Sequence, residues 1–375
     1  MRNVPIKSLA EIAESVRYGY TESASDEPIG PHFLRITDIV QSRINWEAVP
    51  YCKIDEKDKE RFSLAIGDIV IARTGATVGY AKLIRDNTDA VFASYLVRIR
   101  VDPKLADPGY VGRIVESDVY KKFVLSRVGG AAQPNANAKV LSAFSLRLPE
   151  RAVQQHIVKI LSSYDDLIEN NRRRIQQLEQ SARLLYKEWF VSLRFPGHEH
   201  VKINNGVPEC WERTTLGEFA PLKYGKALKA DSRVFGQVAV YGSSGIVGHH
   251  DKSLVSGPAI ILGRKGNVGS VYWSPGDCWP IDTVYYIKRE PALRYLFYAL
   301  LNMPFISTDV AVPGLNRDFA HSRKLLLPSN VVLGLFEEIV EPLHRQIETL
   351  EKQITSLAKA RDILLPRLMS GEISM

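Results

Sequence analysis

Cysteine is scarce in this chain of 375 residues: only Cys52, Cys210 and Cys278, far apart and in no C-x-x-C pair. That excludes a disulfide-stapled scaffold and predicts reduced, structural thiols in a cytoplasmic protein. No run of about 18 apolar residues occurs and no charged-then-apolar leader opens the chain, so neither a membrane span nor a secretion signal is expected. H-E-x-x-H, a Walker P-loop, G-x-S-x-G and a nucleotide or S-adenosylmethionine loop after a strand are all missing, which argues against catalysis by this chain alone. Two histidine groups, His249-His250-Asp251 and His198-Glu199-His200, are conceivable ligand sets. Neighbouring side chains point in different directions on most backbones, however, and no metal site is expected.

What is present is a repeat, and repeats decide the architecture before any local feature does. "LAEIAESVRYG" (Leu9 to Gly19) is echoed by "LGEFAPLKYG" (Leu216 to Gly225) with one residue fewer. "RTGATVG" (Arg73 to Gly79) is echoed by "RKGNVG" (Arg264 to Gly269), again one shorter. "QPNANAKVLSAFSLRLP", ending at Pro149, matches "VPGLNRDFAHSRKLLLP", ending at Pro328.

Behind each Leu-Pro lies a helical pattern in a single register. Ile157, Leu161, Tyr164, Ile168, Asn171, Ile175, Leu178, Ala182 and Leu185 step alternately by four and three residues. Phe336, Val340, Leu343, Ile347, Leu350, Ile354, Leu357, Arg361 and Leu364 repeat those steps. Sustained 4-3 spacing is a coiled-coil seam, and two such helices in one chain predict an intramolecular pair, antiparallel if a pseudo-twofold axis relates the two halves. Asn171 either fixes register inside the seam or lies on a solvated turn. Pro342 is expected to kink or locally loosen the second helix near its start and Pro366 to end it.

Four segments follow: a lobe over 1–149, a helix over 150–191, a second lobe over 192–328 and a second helix over 329–375. "GDIVIAR", "SYLVRIRV", "GPAIILGR" and "DTVYYIKR" read as strands. "PGYVGRIVESDVYKKFVLSRV" and "PALRYLFYALLNMPFI" read as one helix per lobe. The expected class is α+β: two repeated, strand-rich lobes separated by two long helices in an antiparallel coiled coil. Net charge is +7, with +3 in the first lobe and +5 in the second, whereas the helices carry +1 and −2. The lobes are therefore the candidates for a polyanion and the helices for protein contacts.

"GRKGNVGSVYW" (Gly263 to Trp273) could cradle phosphate on backbone N–H groups or be a plain hairpin turn. Its counterpart in the other lobe makes it one of a pair, and a pair suits a two-part target. DNA with two half-sites is such a target. Half-sites one helical turn apart lie about 34 Å centre to centre, against about 42 Å for four heptads of helix.

At this point the residues resemble a family. "VPECWERTTLGEF", "VAVYGSSGIVGHHDKSLVSGPAIILGRKGNVGSVYW", "CWPIDTVYYIK", "AVPGLNRDFAHSRKLLLP" and "FEEIVEPLHRQIETLEKQITSLAKARDILLPRLMSGEI" look like the specificity subunit of type I restriction-modification enzymes. So do "HFLRITDIV", "GDIVIARTGATVG", "AQPNANAKVLSAFSLRLP" and "YDDLIENNRRRIQQLEQSARLLYKEWF" in the first half. The resemblance covers nearly the whole chain. It implies a non-catalytic subunit whose two target recognition domains each read one half of a bipartite sequence in double-stranded DNA. The helices would set the spacer and dock two modification (adenine methyltransferase) subunits. S-adenosylmethionine and ATP would belong to the modification and restriction subunits, not to this chain. Two departures stand out: Cys210 where Gly is common before Trp, and the idiosyncratic "RYGYTESASDEPIGP".

Specific readout needs donors and acceptors at base edges, and cations on phosphates. In the first lobe the candidates are Tyr18, Arg35, Thr37, Arg73, Thr74, Gly75, Thr77 and Asn137. In the second they are Tyr224, Tyr241, Ser243, Ser244, Arg264, Lys265, Gly266, Asn267 and Asn316. Each has a plain structural reading beside it: internal ion pairs for the arginines, caps for the asparagines, core for the tyrosines. Arg172 to Arg174 read as a solvated helix face that could also meet DNA backbone or a partner. The alternative reading is a stand-alone bipartite DNA-binding or bridging protein without a methylase partner. A nucleotide-dependent enzyme and a pure coiled-coil scaffold are more distant readings.

Overall fold

A computed structural model of the chain describes residues 4–41, 43–128, 134–288, 293–305, 314–370 and 372. Two compact units emerge, Met1–Ile168 with Thr355–Met375, and Glu169–Ile354. They are drawn differently from the four sequence segments, because each lobe forms one body with the stretches of both long helices packed beside it.

In the first unit a four-stranded antiparallel sheet runs in the order Ala13–Tyr18, Leu96–Val101, Ile69–Ala72, Ala81–Leu83. In the second unit the same order recurs with Lys223–Tyr224, Val284–Ile287, Ala259–Gly263 and Val271–Ser274. The central strands Ile69–Ala72 and Ala259–Gly263 are buried at every position, as expected of a strand covered on both faces. The Leu-Pro echoes form a closing strand in each lobe. Ser145–Arg147 pairs with Ile6–Ser8, and Lys324–Leu327 pairs with Glu212–Thr215. The first echo is explained by helix capping. Ser8 with Glu11 and Thr215 with Glu218 form capping boxes that start the short helices Leu9–Ile12 and Leu216–Phe219.

Other expectations need correction. The single helix read over Pro108 to Val128 is two, Pro108–Val115 and Asp118–Arg127. Ser117 breaks it with an extended backbone, φ −81° and ψ 159°. The helix read over 291–306 is described as Arg294–Leu301; its flanking residues 291, 292 and 306 lie outside the described residues. Pro366 does not end the second long helix, which runs Asn330–Ser370 and includes Pro342. Both prolines and the residues four before them, Glu338 and Asp362, are exposed, so water can take the carbonyl that each proline frees.

The first long helix spans Arg151–Tyr186. Every seam position on both helices is buried or half-buried. In the second unit Asn171 Nδ2 donates to Gln353 Oε1 at 3.2 Å at one end, while Tyr186 packs on Phe336 at the other, an antiparallel course. Asn171 is buried, so the solvated alternative falls. Arg361, an unexpected cation in the apolar register, is matched in the first unit by Asp165 at 2.7 Å. Asp165 also takes an ion pair from Arg113 of the lobe helix.

Burial pushes the Asp165 carboxyl up, but Arg113 and Arg361 outweigh it and hold the group below the ordinary carboxylate range. Asp165→Asn is therefore expected to cost about 2 kcal/mol, less than a fully buried pair. Because the folded-state pKa is depressed, this contribution is present above about pH 4 and lost as pH falls further. Urea unfolding at pH 7 and pH 3 checks it, since the gap between wild type and variant should shrink at the lower pH.

Candidate nucleic-acid interface

In each lobe the repeated glycine loop connects two antiparallel strands of the main sheet, so it is a hairpin connection. Gly75 and Gly266 sit at φ +72° and +78°, where a side chain would be strained. Two backbone donors of each loop are spent inside it. Val78 N bonds Gly75 O and Gly79 N bonds Ala72 O, while Val268 N bonds Gly266 O and Gly269 N bonds Gly263 O. Among the described residues Gly266 N and Asn267 N at the loop tip enter none of these bonds, so the loop can meet an anion through its backbone as well as its side chains.

Those side chains form matching stations. Arg73 leaves its strand across Leu96–Val101 from the edge strand that ends at Tyr18, and its guanidinium lies 4.8 Å from the Tyr18 ring centre. Arg264 stands at the same place in the other lobe, 5.0 Å from the Tyr224 ring. Both tyrosines are exposed, at 42% and 47%, rather than core. Arg73 Nη2 reaches Asn135 Oδ1 at 3.3 Å, and Arg264 Nη1 reaches Asp282 O at 3.1 Å. Among the described residues neither guanidinium pairs with a carboxylate. A planar cation stacked on an exposed ring, with donors at its edge, suits bidentate recognition of a guanine edge or a phosphate.

The remaining candidates divide. Lys265, Gly266 and Asn267 are exposed on the loop, and Ser243 abuts it: Ser270 Oγ donates to Ser243 O at 2.7 Å. Ser244 is exposed at the same hairpin turn. Thr74 and Thr77 bracket Gly75, with the Thr77 hydroxyl on Thr74 O at 3.4 Å. Asn137 and Asn316 cap the short helices Ala138–Ser142 and Arg317–His321, which accounts for their side-chain oxygens. Arg35 pairs with Asp38 through Nε and Nη2, both at 3.1 Å, and Thr37 donates to the same carboxylate, while the Arg35 side chain stays part-exposed. Tyr241 is buried among Val255, Ala259, Ile261 and Cys278, where desolvation raises its pKa. Sequence reading missed Asn135, and also Arg317, whose guanidinium lies 5.2 Å from the Tyr224 ring. Their signal was proximity to the capping asparagines.

Two further readings have a place in the structure. His249 is exposed and His250 buried, as strand alternation requires, with His250 Nδ1 accepting from Val234 N at 3.1 Å. Among the described residues no group of three or more His, Cys, Asp or Glu side chains is placed to hold a metal ion. No described helix is long and apolar enough to cross a membrane. Cys210 sits at φ +69°, a conformation that favours Gly, which explains why Gly suits that position.

The model of the type I restriction modification DNA specificity domain matches twice, over residues 1–180 and 208–358. The type I restriction enzyme MjaIX specificity subunit of Methanocaldococcus jannaschii is 23% identical over 85% of this chain and 81% of its own length. The putative MjaX specificity subunit of the same organism is 26% identical over 98% and 93%. A crystal structure of the type I restriction-modification S subunit from M. genitalium has the same fold, with a TM-score of 0.60 and 18% identity over 98% of this chain and 97% of that one. Repeated lobes, paired helices and a doubled family match together make this chain a member of the type I restriction-modification DNA specificity family.

Proposed function

We propose that each lobe reads one half of a bipartite sequence in double-stranded DNA, while the paired helices set the spacer and dock two modification subunits. The observation that carries this reading is the duplicated Arg-over-Tyr station, Arg73 on Tyr18 and Arg264 on Tyr224, at one sheet position in both lobes. Duplicated, exposed, cationic stations suit a duplicated anionic target. Chemistry would reside on the partners, with S-adenosylmethionine on the modification subunits and ATP on the restriction subunits. Cytoplasmic residence follows from that partnership.

The spacer role is tested by inserting one heptad into each long helix, which adds about 10 Å of helix. At 3.4 Å per base pair the unspecified spacer should grow by about three base pairs, with both half-sites unchanged. Single-molecule methylation mapping of cells carrying the complex reads both. Altered half-sites at constant spacing would sink the ruler. Failure to co-purify with a methyltransferase would return the chain to a stand-alone DNA-binding role.

A further inference from the structure

Beyond its Gly loop, the second lobe presents a basic segment. Lys223, Lys226, Lys229 and Arg233 stand against the lone acid Asp231. The segment is fastened along its length. Lys226 N bonds Pro280 O at 3.0 Å, Trp279 Nε1 donates to Lys226 O at 2.9 Å, and a 3-10 turn spans Ala230–Ser232. Arg233 Nη1 then donates to Val247 O at 2.6 Å, and Val234 N to His250 Nδ1. On this anchored loop the Phe235 ring is 92% exposed and its neighbour Val234 57%. Single exposed apolar residues are ordinary on protein surfaces. A phenyl ring held in water by a tethered cationic loop is a different matter, because aromatic wedges beside cations are how proteins unstack base steps.

The position fits such a role. Phe235 precedes the hairpin of Val238–Gly242 and Gly245–His250, whose turn at Ser243 abuts the Gly loop near Arg264. The five strand residues Val238–Gly242 lie between the two ends, on the order of 15 Å. That is about four base-pair steps along one duplex. In the first lobe the corresponding stretch is built otherwise: it carries Glu22, Asp26 and Glu27, and its Tyr20 ring packs on Phe62 at 5.3 Å.

We propose that Phe235 is a base-stacking wedge of the second lobe, inserting at a step of that lobe's half-site while Lys226 and Lys229 hold the adjoining phosphates. The proposal rests on the reading that this lobe binds DNA. Its test uses the complex with its methyltransferase subunits, and duplexes carrying 2-aminopurine at successive positions of the mapped half-sites. Wild type should raise fluorescence several-fold at one step of the second half-site. Phe235→Ala should abolish that rise and weaken binding about 5- to 150-fold, the range of one base–aromatic stack. Phe235→Trp should retain both. Unchanged binding and fluorescence in Phe235→Ala overturns the wedge. So does failure of that variant to assemble in gel filtration when wild type unstacks no base, which would make Phe235 a protein contact. A wild-type complex that binds no bipartite duplex would overturn the DNA-reading proposal itself, separately from the wedge.

Discussion

Phe336→Ala is expected to destabilise the unit Glu169–Ile354 by about 4 kcal/mol. Phe336 is fully buried on the second long helix. Its ring meets Phe190 at 4.9 Å, Trp189 at 5.9 Å, Tyr298 at 6.2 Å and Tyr186 at 6.3 Å. Those partners come from the first long helix and its extension and from the lobe helix Arg294–Leu301, so one side chain ties three elements together. Truncation removes the transfer free energy of a phenyl group and four aromatic edges at once. Rigid neighbours on three sides leave little room for the cavity to collapse. Phe336→Leu, which keeps most of the volume, should cost about 1–2 kcal/mol. The chain need not unfold in one step, because it has two compact units. Tryptophan fluorescence in urea separates them: Trp189, Trp211, Trp273 and Trp279 lie in this unit and Trp46 in the other. A loss below about 1 kcal/mol would show that the aromatic cluster does not tie the lobe to the helices.

The long helices were the most legible feature of the sequence, because 4-3 spacing is a property of one helix face and needs no knowledge of the partner. Asn171 was ambiguous only until Gln353 was placed opposite it. Pro366 was misread because proline's cost depends on whether the freed carbonyl is hydrated, and that depends on which face is exposed. The capping boxes at Ser8 and Thr215 were written in the sequence as Ser-x-x-Glu and Thr-x-x-Glu and passed over within the longer echo. In the candidate interface, duplication marked the loops but not the partnerships. Tyr18 and Arg73 are distant in sequence and meet only because both flank the strand Leu96–Val101. Arg35 shows the converse: its partner Asp38 is local, three residues on. At Tyr241 strand alternation turns the ring into the core while its neighbours Ser243 and Ser244 stay at the turn.

Arg264→Ala should weaken specific DNA binding by the methyltransferase complex about 10- to 150-fold, the equivalent of about 1–3 kcal/mol for a lost bidentate contact. The stack on Tyr224 orients the guanidinium, which also bonds Asp282 O and lies 5.8 Å from the Tyr285 ring. Arg264→Lys should not restore binding, since an ammonium neither stacks in a plane nor offers two parallel donors. Tyr224→Phe should be mild and Tyr224→Ala more severe, with a coupling to Arg264 of about 0.5–1 kcal/mol in a double-mutant cycle. Salt titration then separates two modes of contact. If Arg264 holds a phosphate, the slope of log affinity against log salt falls by about one and the mapped half-site is unchanged. If it reads a base edge, the slope holds and one position of the second half-site relaxes. Arg73→Ala should act likewise on the first half-site alone, because its station with Tyr18 and Asn135 lies in the other compact unit. Free energies from independent stations add, so the double variant should lose the product of the two single losses. A double variant no weaker than either single one would mean that the stations do not read separate halves. Unchanged affinity, slope and half-sites in all three would remove the stations from the interface altogether.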